Sequence, residues 1–362
     1  MTAALQNGPV PVNILTGFLG SGKTTLLKQA LNDEVLSGAA VLINEFGEVG
    51  LDHLLLERLD ENVVLLRGGC VCCSIRGDVA RALRSLNDRQ GAGEIPPFTR
   101  VVIETSGLSD PLPVLATLMH EPNIRYHFRP GALVATVDAV NAARRFHDTG
   151  EAVRQVALAD RIVITKKDIA SAAQLSEARR MVAGINATAP VCIQPSPELD
   201  IGALFSTDVY DPRTRGREVE HWLGSLSGEE NHNAALASQA SPTASQPHGP
   251  DGKPHGHDHA SRAQTMTIRL DEPVDWNAFG VWLSLLLHRH GDKIMRTKGI
   301  LNVRGMDMPV VVHGVQNLVH PPTHLSAWPG DDRVSTLVFI ARDMDLGDVK
   351  QSLVTFLKRF GR

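Results

Sequence analysis

Through about the first two hundred residues, short apolar runs rich in Val and Ile recur with helix-like stretches between them. The runs fall at residues 10–16, 40–44, 63–66, 101–104, 133–138, 161–165 and 191–195, and none alternates apolar with polar positions. A strand that is apolar on both sides is buried on both faces, the condition of a central strand in a parallel sheet. Residues 24–31, 78–87, 152–159 and 175–185 read as the intervening helices. This alternation predicts an α/β domain with a doubly wound, mostly parallel sheet.

From about residue 216 to 262 the apolar period is lost. Residues 234–245 are small and polar, and a tract rich in Gly, Pro and His follows, carrying His248, His255, His257 and His259. Such a composition predicts a disordered linker, either inert or able to bind metal ions weakly through its alternating histidines. The pattern resumes with a strand at 265–270. Trp276, Phe279, Trp282, Leu283, Leu286 and Leu287 then recur at helical spacing, which predicts a helix over 274–288. Strands at 300–303, 310–312 and 334–341 and a closing helix at 346–360 complete a smaller α+β domain of about one hundred residues. The expected division is therefore 1–215, a linker at 216–264, and 265–362.

Composition narrows the functions open to this chain. Its 362 residues are enough for about two domains and a sizeable core. Lys and Arg number 36 against 40 Asp and Glu, so there is no global pull toward nucleic acid or an anionic membrane. Aromatics at 4% argue against a stacking platform for single strands. No apolar run approaches the ~18 residues of a membrane helix. Residues 1–11 carry no Lys or Arg and no apolar core, so no signal peptide is expected there, and the expected compartment is the cytoplasm. Three of the four cysteines fall within residues 70–73, which suits a metal or redox site in a reducing compartment.

Four motifs carry chemistry. Gly17-Phe18-Leu19-Gly20-Ser21-Gly22-Lys23-Thr24-Thr25 has the P-loop pattern, follows a predicted strand and opens a predicted helix. Its glycines let backbone N–H groups close around phosphate, Lys23 would bridge the β- and γ-phosphates, and the Thr24 hydroxyl would bind Mg²⁺. Thr165-Lys166-Lys167-Asp168 follows a later strand. A carboxylate at Asp168 accepts from the ring N–H and amino group of guanine, a donor pair adenine lacks, so the expected nucleotide is GTP. Lys166 could lie along the base. Glu104-Thr105-Ser106-Gly107 ends another strand: Glu104 is placed to hold Mg²⁺ through water, and Gly107 can offer its N–H to a γ-phosphate. The bland alternative is a polar turn. Glu45 and Glu48 are candidates to orient an attacking water.

The fourth motif is Gly68-Gly69-Cys70-Val71-Cys72-Cys73. Thiolates are soft ligands suited to Zn²⁺ or Cu⁺, and the segment fills at most three of four tetrahedral positions. Three small buried hydrophobes or a redox thiol site are the alternatives. Cys192, alone in a strand-like run, reads as core.

The P-loop, the segment Asn44-Glu45-Phe46-Gly47-Glu48-Val49-Gly50-Leu51-Asp52, the cysteine cluster and Glu104–Gly107 occur in that order. Together they resemble the CobW-like family of P-loop GTPases, which includes zinc-handling metallochaperones, and the similarity spans the whole chain. The resemblance implies Mg²⁺-dependent GTP hydrolysis coupled to delivery of a metal to a client metalloprotein. It implies a zinc site on Cys70, Cys72 and Cys73, with Glu48 as a further ligand. One departure is that the guanine motif, often Asn-Lys-x-Asp in the family, begins here with Thr165, although Asp168 is kept. Alternatives are an activator inserting cobalt or iron into one enzyme, a metal buffer with a vestigial GTPase, and a small-molecule kinase. Intact Gly22, Lys23, Thr24 and Glu104 argue against a vestigial site, and a kinase gives the cysteines no purpose.

Overall fold

The computed structural model describes residues 8–33, 36, 38–43, 65–67, 75–206, 211, 214–237, 263–330 and 332–361. The runs read as buried strands become β1 (Val10–Gly17), β2 (Ala39–Ile43), β3 (Leu65–Arg67), β4 (Arg100–Glu104), β5 (Phe128–Asp138), β6 (Arg161–Thr165) and β7 (Val191–Ile193). They form one sheet in the order β3-β2-β4-β1-β5-β6-β7, with every pairing parallel.

Burial on both faces explains the absence of alternation. Val12, Ile14, Ile103, Ala135 and Ile164 pack on one face against α2 (Ile75–Gly91), α3 (Leu112–His120), α6 (Gly150–Leu158) and α7 (Ala172–Ile185). Leu15, Val41, Val102, Val134 and Val163 pack on the other against α1 (Lys23–Leu31) and α8 (Ile201–Ser206). Successive residues of a strand thus feed opposite layers of core. The short helices α4 (Pro122–His127) and α5 (Ala142–Asp148) complete this α/β unit.

Linker and second unit depart from expectation in two places. Residues 215–237 form a helix, α9 (Arg215–Ala237), where a linker was expected from residue 216. Its helical period is short, but Val219 and Trp222 are buried against Ile300, Val311, Leu325 and Val338 of the second sheet, and that tertiary contact secures the helix. The histidine tract lies outside the described residues.

The second sheet runs β11 (Leu318–Val319), β10 (Val310–Val315), β9 (Ile294–Leu301), β13 (Ser335–Arg342), β8 (Ala263–Leu270), with β12 (Thr323–His324) beside β10. Its pairings are antiparallel. Helices α10 (Trp276–His290) and α11 (Leu346–Phe360) cover one face, with Phe279, Trp282, Leu283, Leu286 and Leu353 in the core. The expected strand at 300–303 is only the tail of β9. Arg296 and Lys298 broke the apolar pattern, yet both are buried against the α/β unit. Arg296 Nη1 donates to Leu158 O at 2.7 Å and its guanidinium pairs with Asp160, while Lys298 Nζ donates to Thr188 O at 3.4 Å.

Candidate functional site

Parallel strands bring their carboxyl ends to one edge of the sheet, and the three nucleotide motifs leave from that edge. The P-loop follows β1, between β4 and β5. Gly17 and Gly22 have φ of 141° and 90°, conformations L side chains rarely adopt, and Gly22 is the N-cap of α1. A Cβ at Gly17 would lie 2.5 Å from Thr136 O and 2.8 Å from Ser21 Oγ, so the loop closes only over glycine. Gly20 also has positive φ, 71°, at the open tip.

The loop is braced from both neighbouring strands. Ser21 Oγ and Thr136 Oγ1 are 2.6 Å apart, and Thr165 Oγ1 donates to Ser21 O at 2.8 Å. The Thr165 hydroxyl therefore supplies a contact to the loop, with Val137 O a second acceptor at 3.2 Å. Lys23 is buried, with Nζ donating to Gly17 O at 2.9 Å and Phe18 O at 3.2 Å. Thr24 Oγ1 donates to Glu104 Oε1 at 2.8 Å, while Thr25 is exposed on the first turn of α1.

Glu104 and Leu15 are paired across β4 and β1, and Thr105 N donates to Leu15 O at 2.9 Å. The segment after Glu104 lies directly on the P-loop: a Cβ at Gly107 would sit 2.6 Å from Leu19 N. At the end of β6, Lys166 adopts φ 62°, which turns the chain and leaves Asp168 exposed. Lys166 Nζ donates to Asp138 Oδ2 at 2.9 Å. Burial alone would push the Asp138 carboxyl up, but bonds from Lys166, Asn141 and the Val140 N–H hold it below the ordinary carboxylate range. The Lys166 ammonium is thus anchored rather than free beside the base position.

Thr136 and Asp138 were missed by the sequence reading. Both end the apolar run of β5, and nothing in their spacing marks them; only the adjacency of β5 to the P-loop strand does. Glu45, Glu48, Cys70, Cys72 and Cys73 lie outside the described residues. The strands before them do not. Ile43, Arg67 and Leu15 lie level with Glu104 across four neighbouring strands, through the pairs Ile43↔Arg67, Ile43↔Glu104 and Leu15↔Glu104. Two strand spacings separate Arg67 from Glu104, about 10 Å.

Residues 11–193 match the CobW/HypB/UreG nucleotide-binding domain, and residues 263–357 match the cobalamin synthesis protein cobW C-terminal domain. The chain belongs to the CobW family of P-loop GTPases. The expected α/β fold with a smaller C-terminal α+β unit is that of the family. Zinc chaperone YjiA of Escherichia coli (strain K12) is 31% identical over 353 residues, covering 97% of this chain and 99% of that one. Zinc chaperone CobW of Sinorhizobium sp is 26% identical over 387 residues, covering 98% and 99% respectively. The crystal structure of Zn(II)-bound YjiA GTPase from E. coli aligns with a TM-score of 0.66 at 28% identity, over 96% of this chain and 99% of that one. Among the described residues of this CobW-family chain, no helix is long and apolar enough to cross a membrane, and no cluster of three metal-ligating side chains occurs.

Proposed function

We propose that this protein is a cytoplasmic, GTP-hydrolysing metallochaperone that loads zinc on Cys70, Cys72 and Cys73, with Glu48, and delivers it to a client metalloprotein. The observation that carries this reading is the register across β3, β2, β4 and β1. The chain enters the Glu48 segment from Ile43 and the cysteine segment from Arg67, both level with Glu104. A metal bound by these segments would be linked through β2 and β3 to strand ends level with Glu104, and on this reading metal and nucleotide act on one piece of chain.

Chemical roles follow from the geometry. The P-loop N–H groups and Lys23 bind the β- and γ-phosphates, where Lys23 neutralises charge. Asp168 accepts from guanine, and Thr165 and Lys166 hold the loop that presents it. Thr24 and Glu104 form a pair of hard oxygens 2.8 Å apart, the donor type Mg²⁺ takes, and the site fits that ion. Thr24 would ligate it directly and Glu104 through water, and the bound ion would neutralise charge developing on the phosphates. Gly107 presents its N–H to the γ-phosphate. Hydrolysis yields GDP and phosphate, removes that contact, and releases the neighbouring segments.

Thiolates suit Zn²⁺, and three from one segment leave a position for Glu48 or a client's ligand. The test is zinc affinity of wild-type protein and of the Cys72→Ser/Cys73→Ser variant, together with their GTP affinities. The variant is expected to lose tight zinc binding and keep GTP affinity. Retained tight zinc binding would refute the assignment.

A further inference from the structure

We propose that Gln155, on α6 and outside the P-loop, Glu104–Gly107 and guanine motifs, is a positioning residue that sets the Glu104–Asp110 segment for the γ-phosphate. This rests on the nucleotide reading of the P-loop given above. Gln155 is 1% exposed. Its Nε2 donates to Gly107 O and to Ser109 O, each at 3.1 Å. One buried amide thus grips both sides of Leu108, immediately after the glycine assigned above to the γ-phosphate. The next residue back, Arg154, pairs with Asp110 at 2.6 Å, so α6 holds three residues of the same segment: Gly107 and Ser109 by their backbone carbonyls and Asp110 by its side chain.

The helix is a fixed post. Asn186 Nδ2 donates to Val156 O at 2.9 Å and Ala159 O at 3.0 Å. Arg296 of the second unit donates to Leu158 O at 2.7 Å. On its other side the segment has no slack, because a Cβ at Gly107 would meet the Leu19 backbone at 2.6 Å and 2.8 Å. Gly107 is therefore held between the P-loop and Gln155, and its N–H can be aimed only as far as those two bonds allow. The amide suits this task because it has two donors for two carbonyls; a carboxylate or an apolar chain has none.

A group that aims only the γ-phosphate contact affects nucleotides that carry a γ-phosphate. Gln155→Leu keeps the volume and removes both donors. Losing two buried hydrogen bonds is expected to weaken a non-hydrolysable GTP analogue about ten-fold, with kcat reduced by at least as much, while GDP affinity changes less than about two-fold. Calorimetric titration of the full chain with the analogue and with GDP, plus kcat and KM for GTP, reads this out. Equal losses for GDP and the analogue, or no loss for either, would overturn the proposal. Arg154→Ala, at a half-buried position, is expected to shift the same analogue-to-GDP ratio about two- to three-fold in the same direction, and an unchanged ratio there counts against it. This second variant decides the matter if Gln155→Leu does not fold. Lys23→Ala separates the underlying reading: it should lose both nucleotides, and full retention of both would overturn the P-loop assignment itself.

Discussion

Asp160→Asn probes the buried charges that join the two units. Asp160 and Arg296 form an ion pair whose side chains are 7% and 2% exposed. The carboxylate also accepts from the Leu133 N–H at 3.0 Å. Burial would push the Asp160 carboxyl up, but Arg296, Lys298, the Leu133 N–H and Arg161 hold it below its ordinary value, so it is charged in the folded protein. Asparagine is isosteric but offers one acceptor and one donor end. It can serve either Leu133 or Arg296, and its amino group then faces the other donor. The surrounding Arg296, Lys298 and Arg161 also lose an anion. Removing one partner of a buried pair costs about 3–5 kcal/mol. At about 2–4 °C per kcal/mol for a unit of this size, the melting temperature should fall by roughly 6–20 °C. Scanning calorimetry measures it. The double variant Asp160→Asn/Arg296→Met removes the surplus donor with its partner and should recover at least half of the loss. A single-variant loss below about 1 kcal/mol, or a double-variant loss equal to the sum of the singles, would refute this account of the interface.

Lys298 gives a pH prediction. Burial, with Arg296 and Arg161 nearby, lowers its ammonium to about 7, partly offset by Asp160. In the unfolded chain it keeps its proton to about 10.4, so above pH 7 the unfolded state binds more protons and stability rises with pH, by at most about 1.4 kcal/mol per unit. Denaturant melts between about pH 7 and 8.5 should show this rise, and Lys298→Met should flatten it; an unchanged slope in the variant would refute the assignment. For base choice, Asp168→Asn exchanges an acceptor for a donor and should shift preference from GTP toward xanthosine triphosphate by about 1–3 kcal/mol, read by competition binding. An unchanged preference for GTP would remove Asp168 from the guanine contact.

Most of the α/β unit was legible because its strands are buried on both faces, so runs such as Val101–Ile103 carry no ambiguity of period. Helices α3, α4, α5 and α8 were not legible: α3 lies in an apolar run where strand and helix patterns merge, and α4, α5 and α8 span only six or seven residues, too short to show a period. β9 was hidden by Arg296 and Lys298, whose charges are met by Leu158, Asp160 and Thr188 of the other unit, a partnership no local window contains. The P-loop and Glu104 stood out as motifs because the phosphate and Mg²⁺ roles proposed for them constrain residue type and spacing together. The bracing threonine Thr136, the Asp138–Lys166 pair and Gln155 were not, since each acts through a contact between strands or helices distant in sequence.

On the proposed mechanism, metal and nucleotide act on the same piece of chain. Zinc affinity, measured by competition with a chromophoric chelator, should differ between the GDP-bound protein and the protein bound to a non-hydrolysable GTP analogue. Because linkage is reciprocal, zinc must change analogue affinity relative to GDP by the same factor, about 5–150-fold for a coupling of roughly 1–3 kcal/mol. Cys72→Ser/Cys73→Ser should erase that factor. Equal zinc affinities in the two nucleotide states would contradict the account and leave the cysteine site uncoupled from GTP.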